Sequence, residues 1–313
     1  MMDWTAEWVH QPKLFLSEHL NGHWSWRTER AVGRALTFPR LPRNRQRSQL
    51  WGVSVVRDEI DIIDLTIDHL LNQGVDHVLI ADHRSVDGTR EALLDRSRLD
   101  SRVHVVLDEQ EGHFQKEKVT RLARAAWQAG AQWIIPFDAD ELWFARDSTL
   151  RGFFDDCMGA IVTARSINAV PLGSSRIGCS SEFILADKEA ASKVAVRSHP
   201  LVMIGPGNHG AARVGPSAHG LFIGHIPYRN AEQVSRKYRN GARALDAAGA
   251  PDFEGWHWRA GAEMSTSQVE AVWKRMQAGG AVPELGWGGA DPTARARLLA
   301  WPTWDPDQIL NDH

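Results

Sequence analysis

Three carboxylates lie close together near the middle of the sequence, at Asp138, Asp140 and Glu141. They directly follow residues 133–137, an apolar run with the length and composition of a buried strand. Like charges at this spacing raise one another's pKa unless a cation joins them. Carboxylate oxygens suit Mg²⁺ or Mn²⁺, which they bind jointly with substrate phosphates. The cluster therefore predicts a site for a divalent cation and a diphosphate, and a solvated turn is the alternative interpretation of so short a pattern.

Alternating strands and helices must position this cluster. Short apolar runs predict buried parallel strands at 52–56, 75–81, 103–107 and 133–137. Apolar residues at three- and four-residue steps predict amphipathic helices at 60–71 and 114–129. A polar turn at 82–89 follows the second strand, and Thr89 is the expected cap of the next helix. This order predicts a mostly parallel α/β sheet flanked by helices, with ligands at the carboxyl ends of its strands.

The second half of the sequence is less regular. It predicts strands at 160–164, 201–204 and 221–225, and a helix at 230–248. We expect an amino-terminal appendage at 1–48, an α/β domain at 49–228 and a helical carboxyl-terminal extension at 229–313. The appendage ends in a segment that contains Arg40, Arg43, Arg45 and Arg47. This segment is either a solvated linker or a site of peripheral contact with anionic lipid head groups.

Composition excludes several classes of protein. A net charge of -3 over 313 residues argues against a nucleic-acid partner. Cys157 and Cys179 have no CxxC spacing, which argues against a disulfide framework or a cysteine-built zinc site. Neither a secretory leader nor a run of about 18 apolar residues is present, so we expect a cytoplasmic protein, or one peripheral to the inner face of the membrane. The 14 Trp residues are interpreted as core fillers first and as carbohydrate-stacking groups second.

Three segments, in this order and at this spacing, resemble bacterial family 2 glycosyltransferases: 56–59, 80–89 and 137–143. The resemblance implies the GT-A fold, a Rossmann-like α/β fold of nucleotide-diphospho-sugar transferases. The second segment is similar to the family pattern D-N-x-S-x-D-G-T, with His83 at the Asn position. The likeness is specific over residues 51–145 and looser through residues 193–241.

The resemblance also implies roles for individual residues. Residues that would contact the nucleotide sugar are Val56, Arg57, Glu59, Asp82, Ser85, Asp87, Asp138, Ala139, Lys193, Arg229 and Lys237. Ser85 and Asp87 have an alternative interpretation as turn formers. Arg229 and Lys237 are candidates for stabilising negative charge on the leaving phosphate, and solvated basic residues of a helix are the alternative interpretation. Lys193, with Arg197 and His199, is a candidate for holding the diphosphate or an anionic acceptor, and solvated surface residues are the alternative interpretation of all three.

GT-A enzymes often complete the metal shell with a histidine from the carboxyl-terminal half. His225 follows a short apolar segment, and we predict that it binds Mn²⁺ or Mg²⁺ together with Asp138 and Asp140. A hydrogen-bonded structural histidine is the alternative interpretation.

An inverting sugar transfer needs a base within reach of the acceptor hydroxyl. The candidates are His209, Asp187 and Glu182, and the sequence does not decide between them. His209 lies in a glycine-containing loop at 206–210 that permits close approach of a substrate, although a plain turn explains the same glycines.

Together these patterns predict a metal-dependent glycosyltransferase that moves a sugar from a UDP- or GDP-sugar to a glycan, lipid or small-molecule acceptor, with inversion. One alternative is a nucleotidyltransferase that makes the sugar nucleotide. Such enzymes need a Gly- and Lys/Arg-rich loop after the first strand, where this chain has the acidic residues 57–61. The other alternative is a non-catalytic protein that binds glycans or nucleotides.

Overall fold

The computed structural model of the protein describes residues 5–44, 46–173, 176–249 and 256–307. Its helices are α1 (Thr5–Leu20), α2 (Trp26–Ala35), α3 (Ile63–Asn72), α4 (Thr89–Leu99), α5 (Gln115–Ala129), α6 (Leu150–Asp156), α7 (Ala231–Ala248), α8 (Trp256–Ala262) and α9 (Thr266–Gln277). Its strands are β1 (Leu36–Thr37), β2 (Gln49–Val56), β3 (His77–His83), β4 (Val103–Asp108), β5 (Ala131–Pro136), β6 (Glu141–Ala145), β7 (Ile161–Pro171), β8 (Phe183–Arg197), β9 (Met203–Ile204), β10 (Ala211–Ala212), β11 (Ser217–His225) and β12 (Ala290–Ala296).

One large sheet organises the molecule, in the strand order β1-β4-β3-β2-β5-β8-β7-β11-β6. The neighbouring strands β4, β3, β2 and β5 are parallel. Beyond β5 the sheet is mixed, because β7 and β8 form a long antiparallel hairpin and only β7 and β11 pair in parallel. The predicted α/β GT-A fold class is confirmed, and its parallel half is the part with the strong sequence pattern.

The predicted elements of the first half all form, with ends shifted by a few residues. The predicted strand at 201–204 is shorter, since only Met203–Ile204 pair, and they do so with β10 in a separate small sheet. The strands without a sequence prediction are β1, β6, β8, β10 and β12. The middle of β8 is exposed, at residues 187–189, so its pattern is not that of a buried strand.

Thr89 does not cap α4, contrary to the sequence prediction. It is the first residue of the helix, and the preceding residue, Gly88, has a left-handed conformation with φ of 99°. The Asp87 carboxylate accepts the Thr89 backbone N–H at 3.0 Å and thereby takes the capping role.

The sheet is buried between two layers of helices. α3 and α4 pack on one face, and α5 packs on the other. Trp51, Trp133 and Trp143 are at most 1% exposed, so the core-filling interpretation of the tryptophans holds for them. Trp4 and Arg45 lie outside the described residues.

Both terminal parts contribute to the large sheet. β1 of the appendage pairs with β4, and β12 of the extension pairs with β8. The boundaries at 48 and 228 stay predictions. No helix in the described part of the chain is both long and apolar enough to cross a membrane.

Candidate active site

A cleft of about 500 Å³ opens at the carboxyl ends of β2 and β5. Predicted site residues that line it are Val56, Arg57, Glu59, Asp138, Ala139, Asp140, Lys193, His209, His225 and Lys237. Ligands of parallel α/β sheets bind at this edge. The structure therefore brings together ten predicted residues that span about 180 positions of sequence.

A tight turn connects β5 to β6 and presents the acidic cluster. Glu141 donates its backbone N–H to the Asp138 carbonyl at 3.1 Å, and its Oε2 accepts the Asp138 N–H at 3.0 Å. The same oxygen accepts Nε1–H of Trp143 at 3.3 Å. Burial raises the pKa of Glu141, which is 0% exposed. Glu141 therefore fixes the turn from inside and does not face the cleft.

Lys193 reaches this turn from β8. Its Nζ lies 2.7 Å from Asp138 Oδ2 and 2.9 Å from Glu141 Oε1. Burial opposes the charge of Lys193, but the two carboxylates outweigh burial and raise its pKa, so it is an ammonium group. Asn208 donates to the other oxygen of Asp138 at 3.2 Å. Both carboxylate oxygens of Asp138 therefore already have protein partners.

Asp140 occupies the centre of the cationic part of the cleft and is 2% exposed. Lys237 of α7 donates to its Oδ2, and His225 Nε2 lies 3.4 Å from its Oδ1. Arg229 lies 3.6 Å away. Burial alone would raise the pKa of Asp140, but Lys237, His225 and Arg229 hold it well below its usual value. Asp140 is therefore ionised and surrounded by donors.

Arg229 connects the start of α7 to the loop after β2. It is buried and donates to Glu59 and, at 2.7 Å, to Asp61. This two-carboxylate contact fixes the loop that supplies Arg57 and Glu59 to the cleft. Arg229 itself is not among the residues that line the cleft.

His225 is oriented by Asn168 of β7. The side-chain oxygen of Asn168 lies 2.8 Å from His225 Nδ1 and can only accept, so Nδ1 carries a proton and Nε2 is the ring nitrogen that faces Asp140. His225 and Asp140 thus form a pair suited to one cation. Within the described ranges, no three His, Cys, Asp or Glu groups are placed so that they could hold a metal ion together, and Asp138 is turned to Lys193. Two of the three predicted ligands, Asp140 and His225, are thus neighbours, and metal binding by the three-residue set stays a prediction.

His209 lies on the rim of the cleft and is exposed. Its Nδ1 lies 2.8 Å from the Ser192 carbonyl oxygen, which only accepts, so Nε2 is left as the proton acceptor. Gly207 has φ of 62°, and a Cβ atom there would lie 2.5 Å from Cδ2 of the imidazole. Glycine is thus required beneath the ring by both conformation and space.

The other two candidate bases lie away from the cleft. Glu182 is partly exposed beside Arg295 and Arg297, and Asp187 accepts the Asp291 backbone N–H at 2.9 Å. Asp187 is six residues before Lys193 on an extended strand, which corresponds to about 20 Å. The structure does not bring Glu182 or Asp187 to the site, and the reason is the length of β8.

The turn at 82–89 holds its neighbouring loop. Ser85 accepts the Asp58 backbone N–H at 3.0 Å, and Asp87 accepts that of Ile60 at 3.3 Å. Asp82 is fully buried and pairs with Arg90 at 2.5 Å. None of Asp82, Ser85 and Asp87 lines the cleft, and the turn-forming interpretation describes the contacts of Ser85 and Asp87.

His83 belongs to a buried charge cluster beneath the cleft. Asp108 Oδ2 lies 2.9 Å from His83 Nδ1 and 2.7 Å from Lys118 Nζ. Burial lowers the pKa of Lys118 to about 8, although Asp108 opposes this effect. His83 also lines a second cavity of about 140 Å³ beside the cleft.

Several residues of the cleft were not predicted, among them Gln115, Asn168, Tyr238 and Trp258. Asn208 lies directly before His209, so its position in the same glycine-containing loop was an available signal. The others lie in the interiors of helices and strands or at their ends and give no local signal. Arg197 and His199 bond to nearby backbone groups and do not line the cleft.

Comparison with known proteins finds a family match for residues 53–161. Residues 53–161 match the family model described as glycosyl transferase family 2. No curated protein sequence matches the chain.

Among solved structures, the chain is similar to the mannosyltransferase PcManGT from Pyrobaculum calidifontis in complex with GDP-Man and Mn²⁺, with 15% identity, a TM-score of 0.38 and coverage of 89% of this chain and 88% of that one. It is also similar to residues 1-349 of TarS from S. aureus, with 12% identity, a TM-score of 0.34 and coverage of 72% and 73%. At these values the likenesses do not bear on donor or acceptor. From the family match and the fold, the chain carries a family 2 glycosyltransferase domain of GT-A type, matched over residues 53–161.

Proposed function

We propose that the protein transfers a sugar from a nucleotide-diphosphate sugar to an acceptor hydroxyl, with inversion and with a divalent cation. The observation that carries the proposal is the ionised, buried Asp140, which lies among Lys237, His225 and Arg229 in a cleft at the strand ends. Fixed cationic groups stabilise the negative charge of a diphosphate, and a buried carboxylate beside them suits a divalent cation.

The donor lies across the cleft in this proposal. Val56, Arg57 and Glu59 at the end of β2 contact the nucleoside, and Lys237 contacts the diphosphate. Negative charge grows on the leaving diphosphate as the glycosidic bond breaks. Lys237 stabilises that charge, and the amino terminus of α7, which begins after the cap Asn230, adds its dipole.

Asp140 and His225 would hold Mn²⁺ or Mg²⁺, since hard cations bind through one or two protein groups together with substrate phosphates. When bound, the cation would neutralise the negative charge of the leaving diphosphate. Asp138 becomes a third ligand only if Lys193 releases one of its oxygens.

His209 is the proposed general base. Its Nδ1–H donates to the Ser192 carbonyl, which keeps the ring in the tautomer whose Nε2 accepts a proton. The loop at 206–210 lies on the rim, where an acceptor hydroxyl would enter.

The test is release of UDP or GDP from a panel of UDP- and GDP-sugars in the presence of Mn²⁺, with the full chain. Hydrolysis of the donor without an acceptor is the slow form of the same reaction. We expect Asp140→Asn to lose at least on the order of 100-fold in rate, as for removal of a group that stabilises transition-state charge.

Asp147→Asn is the control, because Asp147 is an exposed aspartate beyond the opposite end of β6 and outside the cleft. Its rate should equal that of the wild type. Equal rates for Asp140→Asn and the wild type, with both variants folded, would refute the proposed role of the cleft.

A further inference from the structure

Exposed apolar side chains are concentrated at the start of the chain. In the described ranges, the large hydrophobic residues that are more than half exposed are Trp8, Val9, Leu16, Leu20, Trp26, Val86, Leu99 and Met158. Five of these eight lie between residues 8 and 26. A cluster of this kind marks an interaction surface more often than single exposed apolar residues do.

The outer face of α1 carries three exposed apolar side chains, here called the apolar stripe, with the exposed Lys13 among them. Val9, Leu16 and Leu20 recur at helical spacing, and Leu20 is 84% exposed. The opposite face is anchored to the protein, since the buried Gln11 donates to the carbonyl groups of Leu201 and Ala212 at 3.1 and 2.9 Å. The stripe therefore faces outward on a helix whose other side is fixed.

The outer face of α2 is a basic stripe beside it. Arg27, Arg30 and Arg34 are spaced three and four residues apart and are exposed. None of the three forms an ion pair with a described residue. Trp26, at the start of α2, stacks on His19 of α1 with ring centroids 3.6 Å apart, which joins the two helices.

A basic groove continues this surface. A cavity of about 1050 Å³ lies between residues 38–43 and α5, and Arg40, Arg43 and Arg121 line it without any described carboxylate. The Arg121 guanidinium lies against Gly33 of α2, 3.2 Å from where a Cβ atom would be. The groove is thus continuous with the α2 helix.

The amino-terminal part of the chain, residues 1–48, has a net charge of opposite sign to that of the whole chain. Residues 1–48 contain eight Lys and Arg against four Asp and Glu, a net charge of +4, whereas the whole chain carries -3. The acidic residues that are described in this part are already paired. Glu7 contacts Arg213, Glu18 contacts His23, and Glu29 contacts His19 and Arg124.

We propose that the α1–α2 hairpin docks the protein on an anionic lipid bilayer. The apolar stripe of α1 and the ring of Trp26 enter the boundary between head groups and acyl chains, and the arginines contact lipid phosphates. Charge complementarity selects this occupant. A second copy of the chain would bring the same basic stripes together about a two-fold axis.

The test is flotation of the full chain with vesicles of phosphatidylglycerol and phosphatidylcholine, compared with vesicles of phosphatidylcholine alone. Wild type should float with the anionic vesicles at 50 mM NaCl and much less at 500 mM. Replacing Arg27, Arg30 and Arg34 together by Gln should weaken binding on the order of 100-fold, as for three arginines near a charged surface. Arg239→Gln with Arg243→Gln, exposed arginines of α7, is the matched control and should leave flotation unchanged.

The apolar stripe has its own pair of variants. Leu16→Asp with Leu20→Asp should abolish flotation, whereas Val86→Asp with Leu99→Asp changes residues elsewhere that are at least as exposed and should not. Thermal unfolding of each variant confirms that it is folded. Absence of wild-type flotation, equal flotation with neutral vesicles, or equal loss in the stripe and control variants would overturn the proposal. None of these outcomes depends on transferase activity.

Discussion

Replacing Lys193 by Met would remove the ammonium group that bridges Asp138 and Glu141 on the wall of the cleft. The Lys193 side chain is 7% exposed, that of Asp138 is 31% exposed and that of Glu141 is 0% exposed. Removing one partner of a buried pair costs about 3–5 kcal/mol, because the other charge is left uncompensated. Since Asp138 is partly exposed, we expect Lys193→Met to lower the free energy of unfolding by about 3 kcal/mol, at the lower end of that range.

The assay is urea unfolding at pH 7 and at pH 5. Burial already raises the pKa of Glu141, and loss of Lys193 raises it further. A carboxyl group whose folded-state pKa lies above its unfolded value destabilises the protein when ionised, and this cost disappears as pH falls through the folded pKa. The loss in Lys193→Met should therefore be largest at pH 7 and smaller at pH 5.

Two further variants separate charge from packing. Glu141→Gln keeps an oxygen that accepts the Asp138 and Trp143 N–H groups, so its combination with Lys193→Met should recover much of the lost stability. Lys188→Met changes an exposed lysine of the same strand and should be neutral. A free energy of unfolding for Lys193→Met within about 1 kcal/mol of the wild-type value at pH 7 would refute the proposed ion-pair energy. The same holds if adding Glu141→Gln to Lys193→Met restores no stability.

Three other perturbations have defined outcomes. Burial lowers the pKa of His69 to about 4, so the unfolded chain binds more protons than the folded chain between pH 7 and 4.5. The free energy of unfolding of the wild type, measured with urea, should therefore fall by about 2 kcal/mol over this range. His69→Gln should not show this loss. Burial likewise lowers the pKa of Lys118 to about 8, so Lys118 loses its proton at lower pH in the folded chain than in the unfolded chain. The free energy of unfolding of the wild type should therefore rise by about 2 kcal/mol between pH 8 and 10, and Lys118→Met should not show this rise. Gly207→Ala should displace the ring of His209 and lower the transfer rate while donor binding, measured by calorimetry, stays unchanged. Equal pH dependence in variant and wild type, or an unchanged rate in Gly207→Ala, would contradict these expectations.

The parallel half of the fold could be predicted because its information is local. Each of its strands is a short apolar run between turn residues, and α5 has its apolar residues on one face. β8 could not be predicted, since its exposed middle interrupts the apolar pattern and only pairing with β7 makes it a strand. β12 is similar, because four of its seven residues are exposed.

The site was predictable where a residue follows a strand directly. Asp138, Asp140 and His225 all stand at or just beyond strand ends, and the structure gathers them at one edge. Glu141 has the same sequence context, but its side chain turns inward to hold the turn, and side-chain direction within a tight turn is not encoded in spacing. The cation partners Lys193 and Lys237 depend on how β8 and α7 pack, which only the tertiary structure defines.

The most direct test of the central claim is thermal unfolding of the full chain with UDP and GDP, each with and without Mn²⁺. A ligand that binds only the folded state at 100 times its dissociation constant stabilises it by about 2.7 kcal/mol. For a chain of this size that corresponds to a rise of about 5 °C. The account predicts such a rise for one of the two nucleotides with Mn²⁺, and its loss in Asp140→Asn. No rise with either nucleotide, or the same rise in Asp140→Asn, would contradict it.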